Sequence, residues 1–251
     1  MTSLSPWRTR GSARRRAAAR AALAVLACAA SSTAVPEPLP SPWLHVPLNA
    51  SKPRTRYDAQ PMLPELAATG IAHVLSARSD SAASMAVQGT NVDIASDPVV
   101  NWHWLIRTQP DQPDIASAAR EDAAARLVFF FDGDRDRLPW TDRVVMAAAD
   151  RLGSRALPFA TLMYVSAPGR RVGEVLPNPY TRRIRMVVVD TSEATGHPTW
   201  REFRRNLRDD YRRAFGDEPG RLLGWGVMTD SDNTRSRAEA VYGPVRFSPP
   251  P

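Results

Sequence analysis

From residue 43 onward the apolar residues of this chain fall into short runs, and Pro, Gly and acidic turn residues separate them. Runs of this length suit strands rather than helices, so the punctuation restricts the chain to a mainly β fold. The pattern predicts strands from Ala72 to Arg78, Ser84 to Gln88, Val99 to Arg107, Arg126 to Phe131, Phe159 to Val165, Arg183 to Asp190, Trp225 to Thr229 and Ala238 to Phe247. Trp102, Trp104 and Ile106 share one face of their run, while Asn101, His103 and Arg107 share the other. That is the period of a half-buried strand. Leu127 to Phe131 and Met186 to Val189 are apolar on both faces, as central strands covered on two sides are. Two helices are expected among the strands. Thr199-Trp200-Arg201-Glu202 has the form of a capping box, followed by Phe203, Leu207, Tyr211 and Phe215 at intervals of four and by Gly216 as a stop. A second helix is expected from Thr141 to Leu152. A parallel sheet would need a helix between most strands, and that alternation is absent. The expected fold is therefore a jelly-roll-like β-sandwich, mainly β, with two short helices inserted.

Charge removes one class of function. The 251 residues carry 33 Lys+Arg against 26 Asp+Glu, a formal +7, which taken whole points toward nucleic acid. Yet Arg8, Arg10, Arg14, Arg15, Arg16 and Arg20 all precede the first acid, Glu37. Without them 27 basic residues face 26 acidic ones, and the body is nearly neutral. No nucleic-acid partner is expected, because such binding needs a concentrated positive surface. The arginines, the apolar stretch from Ala21 to Ala30 and Ser32-Thr33-Ala34 have the layout of a signal peptide over residues 1–34. Export to the periplasm, the outer membrane or the extracellular space is the expectation. The apolar stretch is about half the ~20 residues a membrane span requires, so no transmembrane span is expected. Val25-Leu26-Ala27-Cys28 also resembles a lipobox, in which Cys28 would be acylated and tether the protein. Both processing routes remain open. Cys28 is the one cysteine, so the body has no internal disulfide. Residues 35–53, with Pro36, Pro38, Pro40, Pro42, Pro47 and Pro53, read as a linker, and residues 54–251 as a single domain.

Two loops are rich in oxygen ligands. Asp132-Gly133-Asp134-Arg135-Asp136 places three carboxylates on alternate residues, as calcium loops do, and makes Asp132, Asp134 and Asp136 candidate metal ligands with calcium as the ion. The same residues also form a polar turn with Asp-Gly at its tip. Asp230-Ser231-Asp232-Asn233-Thr234 is the second loop, either a site shared with the first or a turn before the last strand. Trp140 and Tyr180, beside Pro139 and Pro179, are aromatics placed for contact with sugar rings. The ligand-binding candidates are thus Trp140, Tyr180, Asp230, Asp232 and Asn233. No catalytic residue is assigned: there is no His-Glu-x-x-His, no Gly-x-Ser-x-Gly and no cysteine in the body. Asp190, Glu193 and Glu174 remain as carboxylates from which a hydrolytic pair would be drawn.

Several stretches together resemble a family of uncharacterised exported bacterial proteins classed only as a domain of unknown function. They are Trp102-His103-Trp104, Phe131-Asp132-Gly133-Asp134, Phe159 to Val165, Asn178-Pro179, Asp210-Tyr211 with Ala214-Phe215-Gly216, Met228 to Thr234, and Tyr242-Gly243. The resemblance implies an extracytoplasmic jelly-roll-like sandwich, similar in outline to galactose-binding and carbohydrate-binding modules, and implies no known activity. This chain departs from it at Ser166-Ala167-Pro168-Gly169 and at Pro244. The expected function is non-catalytic binding of a glycan or another polar extracytoplasmic ligand, such as a cell-envelope component. The alternatives are a carboxylate-dependent glycoside hydrolase of the envelope and a structural lipoprotein.

Overall fold

The computed structural model describes residues 42–48, 53–61, 73–139, 157–194 and 198–251, all within one compact unit, Glu37–Pro251. The leader with Cys28, Trp140 and the helix expected from Thr141 to Leu152 lie outside the described residues. In chain order the elements are β1 (Leu44–Pro47), β2 (Arg56–Pro61), β3 (His73–Asp80), β4 (Ser84–Gly89), β5 (Val99–Thr108), β6 (Arg126–Phe131), β7 (Ala160–Ser166), β8 (Val175–Asn178), β9 (Thr181–Asp190), β10 (Arg201–Asn206), α1 (Leu207–Phe215), β11 (Leu222–Met228), β12 (Arg237–Tyr242) and β13 (Arg246–Ser248). A short 3-10 turn follows β6 at Arg135–Arg137.

The strands make two sheets. Sheet A runs β1-β4-β11-β6-β7-β9-β8 and sheet B runs β10-β5-β12-β3-β2, with β13 also on β5. Pairing is antiparallel except between β7 and β9. The protein is a mainly β sandwich, in agreement with the expected class. No helix among the described residues is long and apolar enough to cross a membrane.

The period-two reading of β5 explains the core. Trp102 and Trp104 both point inward, and Trp102 lies parallel to Tyr164 of β7 at 5.0 Å and against Phe203 of β10 at 5.0 Å. One aromatic column therefore bridges the two sheets. Leu127 and Phe129 of β6 join this inner core, while Val128 joins a second apolar layer on the outer face of sheet A with Met163, Met186, Val188 and Met228. Ile115, from the long β5–β6 connection, caps that layer. This is why β6 and β9 read as apolar on both faces. By the same alternation Arg126, the first residue of β6, sits on the outer face beside Val128.

Three local expectations are corrected. The capping box at Thr199 does not start a helix: Arg201–Asn206 is a strand paired to β5, and its inward Phe203 packs on Trp102 and Trp104. Aromatic packing outweighs the local capping signal here. The helix begins six residues later, where the Asn206 side chain accepts the Asp209 N–H at 3.1 Å, and it ends as expected at Gly216, whose φ is +73°. Leu44–Pro47, inside the stretch read as linker, is an edge strand on β4. Gly243-Pro244-Val245 divides the last expected strand into β12 and β13.

Candidate functional site

The second acidic loop is a buried polar knot. Arg126 sits at a sheet end among apolar neighbours, 1% exposed, and must be met by acids. Its Nε and Nη2 each donate to Asp230 at 3.0 Å, and Nη1 donates to Glu121 at 2.6 Å. Asp230 also accepts the Ala123 N–H at 3.1 Å. Neighbours of Asp230 in the loop bond other segments of the chain. The Thr229 hydroxyl donates to the Ala124 carbonyl and meets the Tyr242 hydroxyl at 2.7 Å. Ser231 meets Ser79 at 2.7 Å. Asp122 accepts from the Asn233 N–H and from both the amide and the hydroxyl of Thr234. The result pins β3, β6, β11, β12 and the connection at 121–124 together.

The charge balance of the knot is uneven. Burial pushes the Asp230 carboxyl up to about 8, against the pull of Arg126, and Glu121 and Asp122 add to the rise. Burial works against the Arg126 charge as well, but Asp230 and Glu121 more than offset it and hold the guanidinium above its ordinary range. Among the described residues, three non-glycine residues have positive φ: Ser81, Gln112 and Arg235. Two of them adjoin Ser236, whose carbonyl accepts from the Ser81 N–H and which follows Arg235; the Ser236 hydroxyl accepts from the N–H of Asp111, the residue before Gln112. Each such residue costs of order 1–3 kcal/mol, which the surrounding bonds must offset.

Of the ligand-binding candidates, four come together here. Asp230 is buried in the knot, Asp232 is half-buried, and Asn233 donates to the hydroxyl of Tyr180, whose ring is 63% exposed. Trp140 lies outside the described residues. Carboxylate oxygens of Asp122, Asp230 and Asp232 fall within 4.8 Å of one another, about the span of two opposed ligands around calcium. Among the described residues these are the ones that could hold a metal ion. The first acidic loop is elsewhere. Asp132 follows the far end of β6 from Arg126, about 17 Å away along a six-residue strand, so the two loops do not meet. Asp132 accepts the Gly133 N–H and Asp134 accepts the Asp136 N–H, closing the turn. Among the described residues Asp132, Asp134 and Asp136 do not form a converging set of ligands. Asp190, the buried member of the hydrolytic candidates, accepts from the Trp104 ring N–H at 2.8 Å and from the Ser192 N–H at 2.9 Å. It anchors the core tryptophan.

The open feature lies on the flank where β1 and β4 of one sheet face β2 and β3 of the other. A cleft of about 380 Å³ opens there to the edge of the inner core. Its walls include Trp43 and Trp225, edge to face at 5.3 Å, and its rim carries His73 and Gln88. Among the described residues neither His73 nor Gln88 has a side-chain hydrogen-bond partner, and no lining residue is Asp, Glu, Lys or Arg. The Tyr242 ring forms part of the wall while its hydroxyl lies in the knot, where it donates to the Met228 carbonyl at 2.7 Å. The cleft and the knot thus share Tyr242.

Sequence reading placed Trp43 in the linker stretch and Trp225 at the head of a strand without assigning either to a site, and it left Asp122, Glu121 and Arg126 out of the candidate sites. Arg126 alone had a visible signal, a charge at the head of an otherwise apolar strand. A comparison with curated proteins finds no match. The family model described as protein of unknown function, DUF3047, matches residues 41–246, from just before Trp43 to the start of β13. With most of its length covered by that match, the chain belongs to the DUF3047 family.

Proposed function

We propose that this protein is exported and that its sandwich is a non-catalytic binding module for a small polar ligand of the extracytoplasmic space, of the glycan class. The observation that carries the reading is the flank cleft, which combines two tryptophan rings with two unpartnered hydrogen-bonding side chains. Its volume is at the low end of small-molecule sites, roughly 300–1,000 Å³, and favours a ligand of one or two rings. The Arg-rich leader supports export. The non-catalytic reading is supported by Asp190, whose carboxylate is occupied by Trp104 and Ser192.

The test is a glycan array probed with the purified body and with its Trp43→Ala variant. Trp43 is half-buried and lies just before β1, outside the residues paired to β4, so its removal leaves that pairing in place. Binding that weakens at least tenfold in the variant supports the cleft. Binding that survives Trp43→Ala but is lost in Tyr180→Ala moves the site to the exposed tyrosine beside Asn233, and silence across the array removes the reading.

A further inference from the structure

The reading above places a polar ligand in the cleft; resting on it, we infer that the ligand is electrically neutral, a saccharide ring without carboxylate, sulfate, phosphate or free amine. Both overall charge and local chemistry favour this. The body as a whole is close to neutral, so no long-range field concentrates ions near it. Within the cleft, no described lining residue offers a carboxylate, ammonium or guanidinium. A charged ligand entering there would give up its hydration with no counter-charge among the described lining residues to replace it. Pro244, after Tyr242-Gly243, lines the cleft as well and adds no charge to the wall.

A wholly apolar ligand fits no better. His73 and Gln88 have no side-chain partner among the described residues and rely on water. An apolar occupant would strip that water and leave both groups unsatisfied. A sugar ring meets both demands, because its C–H faces pack on indole and its hydroxyls lie at the ring edge. Half-buried Trp43 supplies indole surface for a face, with buried Trp225 set edge to face against it. His73 and Gln88, on β3 and β4 of opposite sheets, supply the edge partners from two sides.

The experiment compares immobilised neutral oligosaccharides with uronic-acid, sulfated and free-amine oligosaccharides, using the wild-type body and Trp43→Ala. Hits are followed by tryptophan fluorescence at low and high NaCl. The expected result is Trp43-dependent binding confined to the neutral set, with a Kd that changes less than twofold across a tenfold range of salt, since screening acts only on charge. Loss of affinity of about tenfold or more in His73→Ala or Gln88→Ala is expected with the same neutral probe. Trp43-dependent binding to acidic or amino sugars that weakens steeply with salt overturns this inference and leaves the cleft reading standing. Binding independent of Trp43, or none to any probe, overturns the cleft reading and this inference with it.

Discussion

The polar knot around Arg126 and the flank cleft around Trp43 share a wall, Tyr242, yet they handle polar groups in opposite ways. In the knot the side chains of Asp230, Asp122 and Thr229 are matched inside the protein. In the cleft His73 and Gln88 are left to solvent. The knot has three acids around one fully buried cation, whereas the cleft has no formal charge on its described walls. Buried groups that are fully matched give rigidity and a unique arrangement. Unmatched groups at an opening give a place for something else to bind. The residues that look most chemical in the sequence are thus those the fold uses for its own construction.

The largest effect should come from removing the cation on which the knot is built. Arg126→Leu leaves Asp230 and Glu121 buried and unpaired, at a cost of about 3–5 kcal/mol. For a chain of this size that is a melting-temperature drop on the order of 10 °C. Adding Asp230→Leu to the same variant should recover part of the loss, because a buried pair replaced by apolar residues is often near neutral. A single variant that melts within about 2 °C of wild type would show that the knot contributes little.

The knot also fixes the sign of a pH dependence. The Asp230 carboxyl, raised to about 8 by burial and then by Glu121 and Asp122 against Arg126, holds its proton more tightly folded than unfolded, where a carboxyl titrates near 3.9. Its contribution is present in full below pH 4 and is lost as pH rises from about 4 to 8. Asp114 has the opposite sign: its hydrogen bond from Arg170 lowers its pKa, so its contribution is lost on acidification. Urea unfolding of wild type and Asp230→Asn across pH 5 to 8 separates the two. The stability difference should move against wild type as pH rises; a flat difference would mean that Asp230 titrates as an ordinary carboxylate.

A smaller effect tests the wall between the two regions. Tyr242→Phe keeps the ring in the cleft and deletes the hydroxyl that Thr229 and Met228 share. About 1–3 kcal/mol should be lost, the range for a buried group left unmatched. Stability measured beside ligand affinity then shows whether the knot shapes the cleft: lower affinity in a variant that is folded at the assay temperature means that it does, and unchanged affinity means that the shared wall is incidental.

These residues also show how much of the molecule was legible in the sequence. The β5 alternation and the two-sided runs of β6 and β9 gave strand, face and central position, because one strand period is a local property. The Asp230 loop was visible as polar residues in a row, but its partner Asp122 is 108 positions earlier and only the antiparallel pairing of β6 with β11 brings them together. The cleft was illegible. Trp43, just before β1, and Trp225, in β11, are far apart in the sequence, and an isolated tryptophan gives no sign of whether a groove opens beside it. The failed capping box at Thr199 has the same cause: nothing near residue 203 announces that Trp102 and Trp104 need a third ring.

The smallest expected effect concerns calcium. Asp122, Asp230 and Asp232 converge closely enough for an ion, but oxygens already bonded to Arg126, Ala123, Asn233 and Thr234 would have to give up those donors to coordinate it. For Asp122 alone that means releasing two backbone N–H groups and the Thr234 hydroxyl, each costly to leave buried and unmatched. The knot is therefore complete without a metal, and millimolar calcium or a chelator should shift the melting temperature by less than about 1 °C. An ion that binds only the folded state adds RT ln(1 + [L]/Kd), about 2.7 kcal/mol at a hundredfold excess over Kd, a shift of several degrees for a chain of this length. A rise of that size with calcium, abolished by Asp232→Asn, would turn the knot from a structural clasp into an ion site and move the binding chemistry away from the cleft.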